Sequence, residues 1–319
     1  MHKPYSRRRF LARAALTTSC GAALTWHFEE TTLLAQQEPR PEPATPTETA
    51  PPFPAGTIGK LTVSRLICGG NLISGFAHSR DLIYVSPLLK HYFTDDKVLE
   101  TLELCAAHGL NTMILRVDDD TCRIVRKFRA RGGSLQWIAQ VKLPTNDPWT
   151  EIHRAVDAGA VGCYVHGGEG DRCAAEGRVD LLGDAVNCIG KQGVAAGIAG
   201  HDLAVHRACE EAGLRPDFYM KTFNSKRYWS AGPMPRNDSV WEETPEQTRD
   251  FMAGVDTPWI AYKVLGAGAI HPDQGFRYAY ENGADFLCVG MFDFQVAEDV
   301  RIARRAIAAA QSRPRAWCG

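Results

Sequence analysis

From residue 61 onward, short apolar runs alternate with longer stretches in which apolar residues recur every three or four positions. The runs predict buried β-strands, and the stretches predict amphipathic helices. The predicted strands cover residues 64–70, 111–118, 135–143, 161–168, 194–201, 217–224, 259–266 and 285–291. Eight such units in about 250 residues predict an α/β protein with a (β/α)8 barrel. A doubly wound sheet is the alternative, but no GxGxxG motif follows the first predicted strand.

Glycines stand where several of the predicted helices end. These residues are Gly109, Gly159, Gly193, Gly213 and Gly283. Glycine is common directly after a helix because it adopts the left-handed backbone conformation without a steric penalty. The glycine positions therefore support the helix boundaries that the apolar pattern predicts.

The N-terminal part of the chain has a different composition. Residues 6–11, Ser-Arg-Arg-Arg-Phe-Leu, resemble the twin-arginine export motif, and a short apolar run follows them. We expect residues 1–35 to form a twin-arginine signal peptide, residues 36–56 a disordered linker rich in Pro and Glu, and residues 57–319 the barrel domain.

The export motif predicts a partner and a location. The partner is the twin-arginine export machinery, and the location is periplasmic or extracellular. Membrane anchoring through an uncleaved signal or a lipid on Cys20 is the alternative.

Composition narrows the class of protein. With 45% hydrophobic and 23% charged residues, the 319-residue chain is typical of soluble globular proteins. The net charge of −1 offers no basic surface for nucleic acid. None of the ten cysteines forms a CxxC motif, so we interpret them mainly as core residues, with Cys122 and Cys173 as the exceptions left open.

Candidate catalytic residues end the predicted strands. Lys142 ends the third strand, His166 the fourth and Lys263 the seventh, and Asp118 follows Arg116 at the end of the second. In a barrel, the carboxyl ends of the strands meet at one face, where active sites lie. Strand alternation predicts that Gln140 and Lys142, Tyr164 and His166, Ala261 and Lys263, and Arg116 and Asp118 share inward faces, with Tyr262 facing outward.

Lys142 and His166 should be neighbours because their strands are consecutive. A lysine can bind an oxyanion, and a histidine can transfer a proton. A structural ion pair with Asp118 or Asp293 is the alternative. Lys221 and Lys263 both add positive charge to the rim of the barrel. Their repulsion could free one amine for Schiff-base chemistry, or the two could bind a carboxylate or phosphate together.

The loops after the first and sixth strands are long and carry aromatic residues, which suit a polar or sugar-like ligand. The predicted substrate-binding residues are Arg116, Tyr84, Tyr92, His201, Lys221, Asn224 and Trp229. Lys221 can also face outward. His166 and His201 leave a metal site open as an alternative, but no clear third ligand accompanies them.

The segments IAQVKLP, CYVHGG, AGIAGH and WIAYKVLGAG together resemble the aldo-keto reductases over about residues 61–310. The resemblance implies NAD(P) as cofactor, catalytic roles for Lys142 and His166, and cofactor contacts at Asn71, Gly266 and Asp293. Two features depart from that family. Ile114 occupies the place of its aspartate, with no tyrosine following, and residues 289–300 lack the basic side chains that grip the NADP 2′-phosphate.

The sequence therefore predicts an exported oxidoreductase of aldo-keto reductase type that acts on a carbonyl or sugar substrate with NAD(P). A lyase, aldolase or isomerase on the same barrel, working without nicotinamide and with or without a metal, is the first alternative. A binding relative without catalytic activity is the second.

Overall fold

The computed structural model describes residues 52–76, 82–227 and 242–319. Eight parallel strands form a closed barrel in which each strand pairs with its neighbour in the chain and the last pairs with the first. The barrel strands are β3 (Leu66–Gly69), β4 (Thr112–Arg116), β5 (Gln136–Val141), β6 (Gly162–Val165), β7 (Ala195–Gly200), β8 (Phe218–Thr222), β9 (Trp259–Tyr262) and β10 (Phe286–Val289). The predicted (β/α)8 fold is confirmed.

Helices lie between the strands. They are α1 (Val85–Tyr92), α2 (Asp95–Ala107), α3 (Asp119–Ala130), α4 (Thr150–Asp157), α5 (Gly167–Ala175), α6 (Val179–Lys191), α7 (Leu203–Glu211), α8 (Pro245–Ala253), α9 (Pro272–Glu281) and α10 (Val296–Ala309). All five glycines that were predicted to follow helices have positive φ angles, between 70° and 104°. Two short 3-10 turns, Gly266–Gly268 and Asp293–Gln295, follow β9 and β10.

Alternation along the strands separates two apolar layers. The inner layer fills the barrel and contains Ile67, Ile114, Ile138, Tyr164, Ala199, Phe218, Met220, Ile260 and Phe286. The outer layer joins the strands to the helices and includes the fully buried Trp137 and Trp259. The barrel is therefore a packed core whose polar residues lie at its mouth.

The predicted faces are wrong for the seventh barrel strand, β9. Tyr262 packs with the inner layer, whereas Ala261 belongs to the outer layer. The prediction fixed the alternation on Lys263, but Lys263 has a φ of 58° and lies just beyond the strand. A left-handed residue ends the regular alternation, so counting back from Lys263 gave the wrong face.

A hairpin that the apolar pattern did not predict closes the opposite end of the barrel. Strands β1 (Ala55–Ile58) and β2 (Leu61–Ser64) pair in antiparallel fashion. Ile58 and Val63 are fully buried against the inner layer. β1 thus begins at Ala55, so its first two residues fall within the predicted linker, which ends at residue 56.

The C-terminal tail is clamped at the same end as the hairpin. The buried carboxylate of Asp285 accepts hydrogen bonds from the Cys318 backbone N–H at 2.9 Å and from Arg313 at 3.2 Å. Two guanidinium groups pack on the Trp317 ring. The distance from the guanidinium carbon to the ring centroid is 3.4 Å for Arg313 and 4.3 Å for Arg65. These contacts stabilise the end of the barrel that faces away from the strand carboxyl termini.

Two helices lie where the sequence predicted none. α1 lies inside the predicted loop after the first barrel strand, and α5 follows β6 directly, although residues 166–168 were expected to continue the strand. The nine cysteines from Cys68 to Cys318 are all free thiols, including Cys122 and Cys173. Among the described residues, no helix is long and apolar enough to cross a membrane.

Candidate active site

Two histidines define the centre of the barrel mouth. His166 follows β6, and His201 follows the adjacent strand β7. Each continues the inward-facing alternation of its strand, so the two imidazole rings lie side by side at the barrel mouth. Their centroids are 6.2 Å apart, and the rings are nearly perpendicular.

His166 is held as a neutral hydrogen-bond donor. It is the N-cap residue of α5, and its Nδ1 accepts the backbone N–H of Gly168 at 3.1 Å. The proton of a neutral ring must then be on Nε2. Burial lowers the pKa of His166 to about 4, with further lowering from His201, Lys142 and Lys263. At neutral pH the ring therefore offers an uncharged Nε2–H.

His201 has the complementary arrangement. Its Nδ1 lies 2.6 Å from Oδ2 of Asp171, a residue of α5 whose Oδ1 also accepts the backbone N–H groups of His201 and Asp202. Burial opposes ionisation of Asp171, but the hydrogen bonds from His201 and the backbone lower its pKa overall. The carboxylate thus holds a proton on Nδ1 and leaves a lone pair on Nε2 of His201.

His201 is also uncharged at neutral pH. Burial lowers its pKa, the Asp171 carboxylate acts in the opposite direction, and Lys263 lowers the pKa further. Because the net shift is downward, the neutral form with a basic Nε2 predominates. A pair of neutral imidazoles, one donor and one acceptor, is suited to general acid–base chemistry.

Gly167 leaves space beside this pair. A methyl group at position 167 would lie 2.6 Å from the hydroxyl oxygen of Tyr262 and 2.9 Å from Cε1 of His201. The His201 and Tyr262 rings are 5.6 Å apart. Glycine at this position therefore permits the close approach of α5, His201 and Tyr262.

The predicted lysines of the mouth, Lys142 and Lys263, are among the charged groups that lower the pKa of His166, after burial and His201. Lys142 is exposed just after β5, and its backbone N–H donates to Glu151 at 2.7 Å. Lys263 has the left-handed conformation described above, and its Nζ lies 5.9 Å from the Tyr262 ring centroid. A non-glycine residue with positive φ is uncommon, and such residues are concentrated at functional sites.

Lys221 lies outside this group. It belongs to the outward face of β8, is fully buried, and donates to the carbonyl oxygens of His201 at 2.6 Å and Thr222 at 2.8 Å and to Glu242 at 2.9 Å. An ammonium group has three donors, so these three contacts satisfy it. This buried, outward position does not agree with the expectation that Lys221 contacts substrate. Lys221 instead holds the backbone of His201 through its carbonyl oxygen.

Three other predicted residues have structural contacts. Arg116, the last residue of β4, forms an ion pair with Asp118 at 3.0 Å, and Asp118 also caps α3 by accepting the backbone N–H of Thr121. Asn224 is buried and donates to the carbonyl oxygen of Lys263 at 3.2 Å. These contacts order the rim of the mouth.

The remaining predicted residues do not join the histidine pair. The Tyr92 hydroxyl donates to Asp293 at 2.5 Å, and Lys97 contacts the same carboxylate at 3.0 Å. Tyr84 is 61% exposed before α1, and Asn71 is exposed after β3. Trp229 lies outside the described residues.

The turns after β9 and β10 bear on the expected nicotinamide cofactor. The backbone N–H groups of Gly266, Gly268 and Ala269 already donate to carbonyl oxygens of their own turn. After β10, Asp293 lies in the short turn, and Glu298 and the buried Asp299 lie in the acidic first turn of α10. Neither turn contains Lys or Arg, and the N–H groups of Gly266, Gly268 and Ala269 are already used, so these residues offer a dinucleotide phosphate neither cations nor free donors.

A metal site finds little support in the same region. In the described ranges, no group of three or more His, Cys, Asp and Glu side chains is arranged to hold a metal ion. His166 and His201 are both oriented by other hydrogen bonds, to the α5 backbone and to Asp171.

Sequence reasoning missed Asp171, Tyr262 and Thr222. Asp171 lies on α5, which is rich in glycine and was not predicted as a helix. The sequence clue to Asp171 was that a carboxylate follows His166 within about one helical turn, directly after the glycines. Tyr262 was placed on the wrong face, and Thr222 carries no charge that draws attention to it.

The comparisons with known proteins establish the fold alone. No family model matches the chain, and no curated protein matches its sequence. The structure is similar to that of a Pseudomonas aeruginosa protein provisionally described as an aldo-keto reductase, with a TM-score of 0.55 and 16% identity over 79% of this chain and 95% of that one. It is also similar to a truncated 3-deoxy-D-arabino-heptulosonate 7-phosphate synthase from Thermotoga maritima, with a TM-score of 0.51 and 11% identity over 82% and 96% of the two chains. The fold is therefore that of barrel enzymes with different chemistries.

Proposed function

We propose that the protein is an enzyme that moves protons at a small carbonyl compound without a nicotinamide cofactor, as lyases, aldolases and isomerases do. The observation that carries this proposal is the Asp171–His201 pair beside His166. His201 acts as the general base through Nε2, and His166 donates a hydrogen bond to the carbonyl oxygen through Nε2–H.

The surrounding charges support the same chemistry. Removing a proton next to a carbonyl group places negative charge on the carbonyl oxygen. Lys142 and Lys263 lie close enough to depress the pKa of His166, so their positive charge also reaches the space above it. That charge stabilises the anionic intermediate.

The experiment measures deuterium exchange. The full chain, without added cofactor, is incubated in D2O with a panel of 2-oxo acids, ketoses and aldoses, and proton NMR follows the carbon next to the carbonyl group. We expect exchange with at least one compound and a loss of about 10²–10⁴-fold in His201→Ala. Absence of exchange across the panel, or equal exchange by His201→Ala, contradicts the proposal.

A reductase of aldo-keto reductase type is the second candidate. It is favoured by Lys142 and His166 at the ends of adjacent strands, as the sequence resemblance implies, and by the similarity of fold. Fluorescence titration with NADH and NADPH, followed by oxidation assays on the same carbonyl panel, distinguishes the two candidates. Binding and hydride transfer that disappear in Lys142→Met would establish the reductase instead.

We also propose export by the twin-arginine route, on the sequence motif alone. The test is cell fractionation of the full chain and of a variant in which Arg7, Arg8 and Arg9 are replaced by Lys. Export of the wild-type chain and retention of the variant support the proposal; equal export of both contradicts it.

A further inference from the structure

We propose that the hydroxyl groups of Thr222 and Tyr262 bind the substrate oxygen that becomes negatively charged, on the wall of the barrel mouth next to His201. This inference rests on the proposed function, because it names the donors that such a reaction needs. It extends the site to two residues with no charge at neutral pH.

The strand register places the two hydroxyl groups together. Thr222 ends β8 and Tyr262 ends β9, and the two residues are direct partners in the parallel ladder. Thr222 follows the inward-facing Phe218 and Met220 at spacings of four and two residues, and Tyr262 follows Ile260. Both side chains therefore stand in the uppermost inward layer, level with His201.

The two hydroxyl groups lie next to each other, and the rest of the described chain gives neither of them a hydrogen-bond partner. The Oγ1 of Thr222 and the phenol oxygen of Tyr262 are buried, and a contact between these two oxygens uses only one of their two protons. Buried polar groups are nearly always paired in native proteins. This pair of adjacent hydroxyls, with one proton left to donate, therefore points to a ligand oxygen as its partner.

Gly167 provides room and polarity on the opposite side. The absence of a side chain at position 167 lets the start of α5 approach the Tyr262 oxygen closely, since a Cβ there would lie only 2.6 Å from it. α5 begins at Gly167, so its positive end faces the same space. Helix N-termini favour an oxygen that carries negative charge.

Tyr262 acts as a hydrogen-bond donor and keeps its proton. Burial raises the pKa of its phenol far above the ordinary value, so the hydroxyl does not compete with His201 as a base. His201 takes the substrate proton, the carbonyl oxygen gains the electron pair, and the two hydroxyls stabilise that charge. No further reactant is needed.

The test combines activity with a binding probe. In the deuterium-exchange assay, Tyr262→Phe should lower kcat by about 10²–10³-fold with little change in KM, and Thr222→Val should give a smaller loss. Gly167→Ala should reduce the rate by obstructing the Tyr262 oxygen. The matched controls are Tyr219→Phe, on the outer face of β8, and Thr248→Val, a buried hydroxyl of α8; both should retain the wild-type rate.

Oxalate, which resembles an enolate, separates this inference from the proposed function. Calorimetric titration should show oxalate binding to the wild-type chain and at least about ten-fold weaker binding to Tyr262→Phe and Thr222→Val. Oxalate binding that depends on these hydroxyls, without exchange on any compound, preserves the oxygen site and overturns only the function. Unchanged kcat and oxalate affinity in both variants, or no oxalate binding and no exchange at all, overturns the inference.

Discussion

The imidazole rings of His166 and His201 lie 6.2 Å apart with opposite hydrogen-bonding roles at Nδ1. His166 accepts the backbone N–H of Gly168 at Nδ1, whereas His201 donates from Nδ1 to Asp171. Each partner fixes one tautomer, so the two Nε2 atoms are a donor and an acceptor. Helix α5 supplies both Gly168 and Asp171, and it therefore determines the chemistry of the two strand ends.

Replacing Asp171 with Asn should lower the exchange rate by about 10²–10⁴-fold while the fold persists, because the base loses the charge that holds its tautomer. Steady-state exchange rates and circular dichroism measure the two effects. Asp180→Asn, an exposed acid of α6, is the control and should keep the wild-type rate. Full activity of Asp171→Asn would show that His201 needs no orienting carboxylate.

The exchange rate should be highest above pH 6.5 and should fall as the pH decreases. The pKa values of His166 and His201 are both lowered by burial, to about 4 for His166, and the reaction needs both rings neutral. Acidification protonates the His201 base, whose pKa is lowered by burial and raised in part by the Asp171 carboxylate. A pH–rate profile checks this, and a rate that rises on acidification below pH 6 contradicts it.

His206 should make the folded state sensitive to acid. This residue is fully buried in α7, its Nε2 lies 3.0 Å from the Met220 carbonyl oxygen, and burial lowers its pKa to about 3. Since the unfolded chain binds a proton near pH 6.5, the stabilisation is fully present above that pH and is lost towards pH 3, by about 2 kcal/mol between pH 7 and pH 5. Urea unfolding at both pH values measures the difference.

His206→Asn is the matched control for that measurement, because it keeps a donor for the Met220 carbonyl oxygen but does not titrate. Its stability should change less between pH 7 and pH 5 than that of the wild-type chain. Equal pH dependence in the two proteins would assign the acid sensitivity to other groups.

Breaking the buried pair of Lys221 and Glu242 should be costly. Lys221→Met or Glu242→Gln should each destabilise the fold by about 3–5 kcal/mol, because the remaining polar partner stays buried without its counterpart. The double variant should recover part of the loss, which a double-mutant cycle in urea detects. Lys226→Met, which removes the more exposed pair with Glu243, should cost less than about 1 kcal/mol. Additive losses in the cycle would contradict the coupling.

The barrel was predictable because its signals are local and repeated. Apolar runs separated by amphipathic stretches, with glycines after the helices, fix the order of strands and helices, and strand order in a parallel barrel follows chain order. The inward positions of His166 and His201 follow from alternation. The hairpin at residues 55–64 was not predictable in this way, because β1 buries only Ile58 and β2 only Val63 and Ser64, so neither strand is an apolar run.

The rest of the site depends on backbone geometry that the sequence pattern does not encode. Tyr262 faces inward by the alternation from Ile260, but the left-handed Lys263 beyond the strand breaks that alternation, and the glycine-rich start of α5 conceals the helix that carries Asp171. Lys221 resembles a mouth residue in the sequence, but the alternation of β8 directs it outward to Glu242. Reasoning from charge therefore assigned Lys221 to the wrong face. It also gave no reason to select the uncharged hydroxyls of Thr222 and Tyr262.

Nitrogen-15 NMR of the histidine side chains tests the central claim most directly, since it distinguishes protonated from unprotonated ring nitrogens without a substrate. His166→Ala and His201→Ala assign the two signals in the full chain at pH 7. We predict a neutral His166 protonated at Nε2 and a neutral His201 protonated at Nδ1. The same tautomer in both rings, or a charged imidazolium in either, would contradict the acid–base pair on which the proposed function depends.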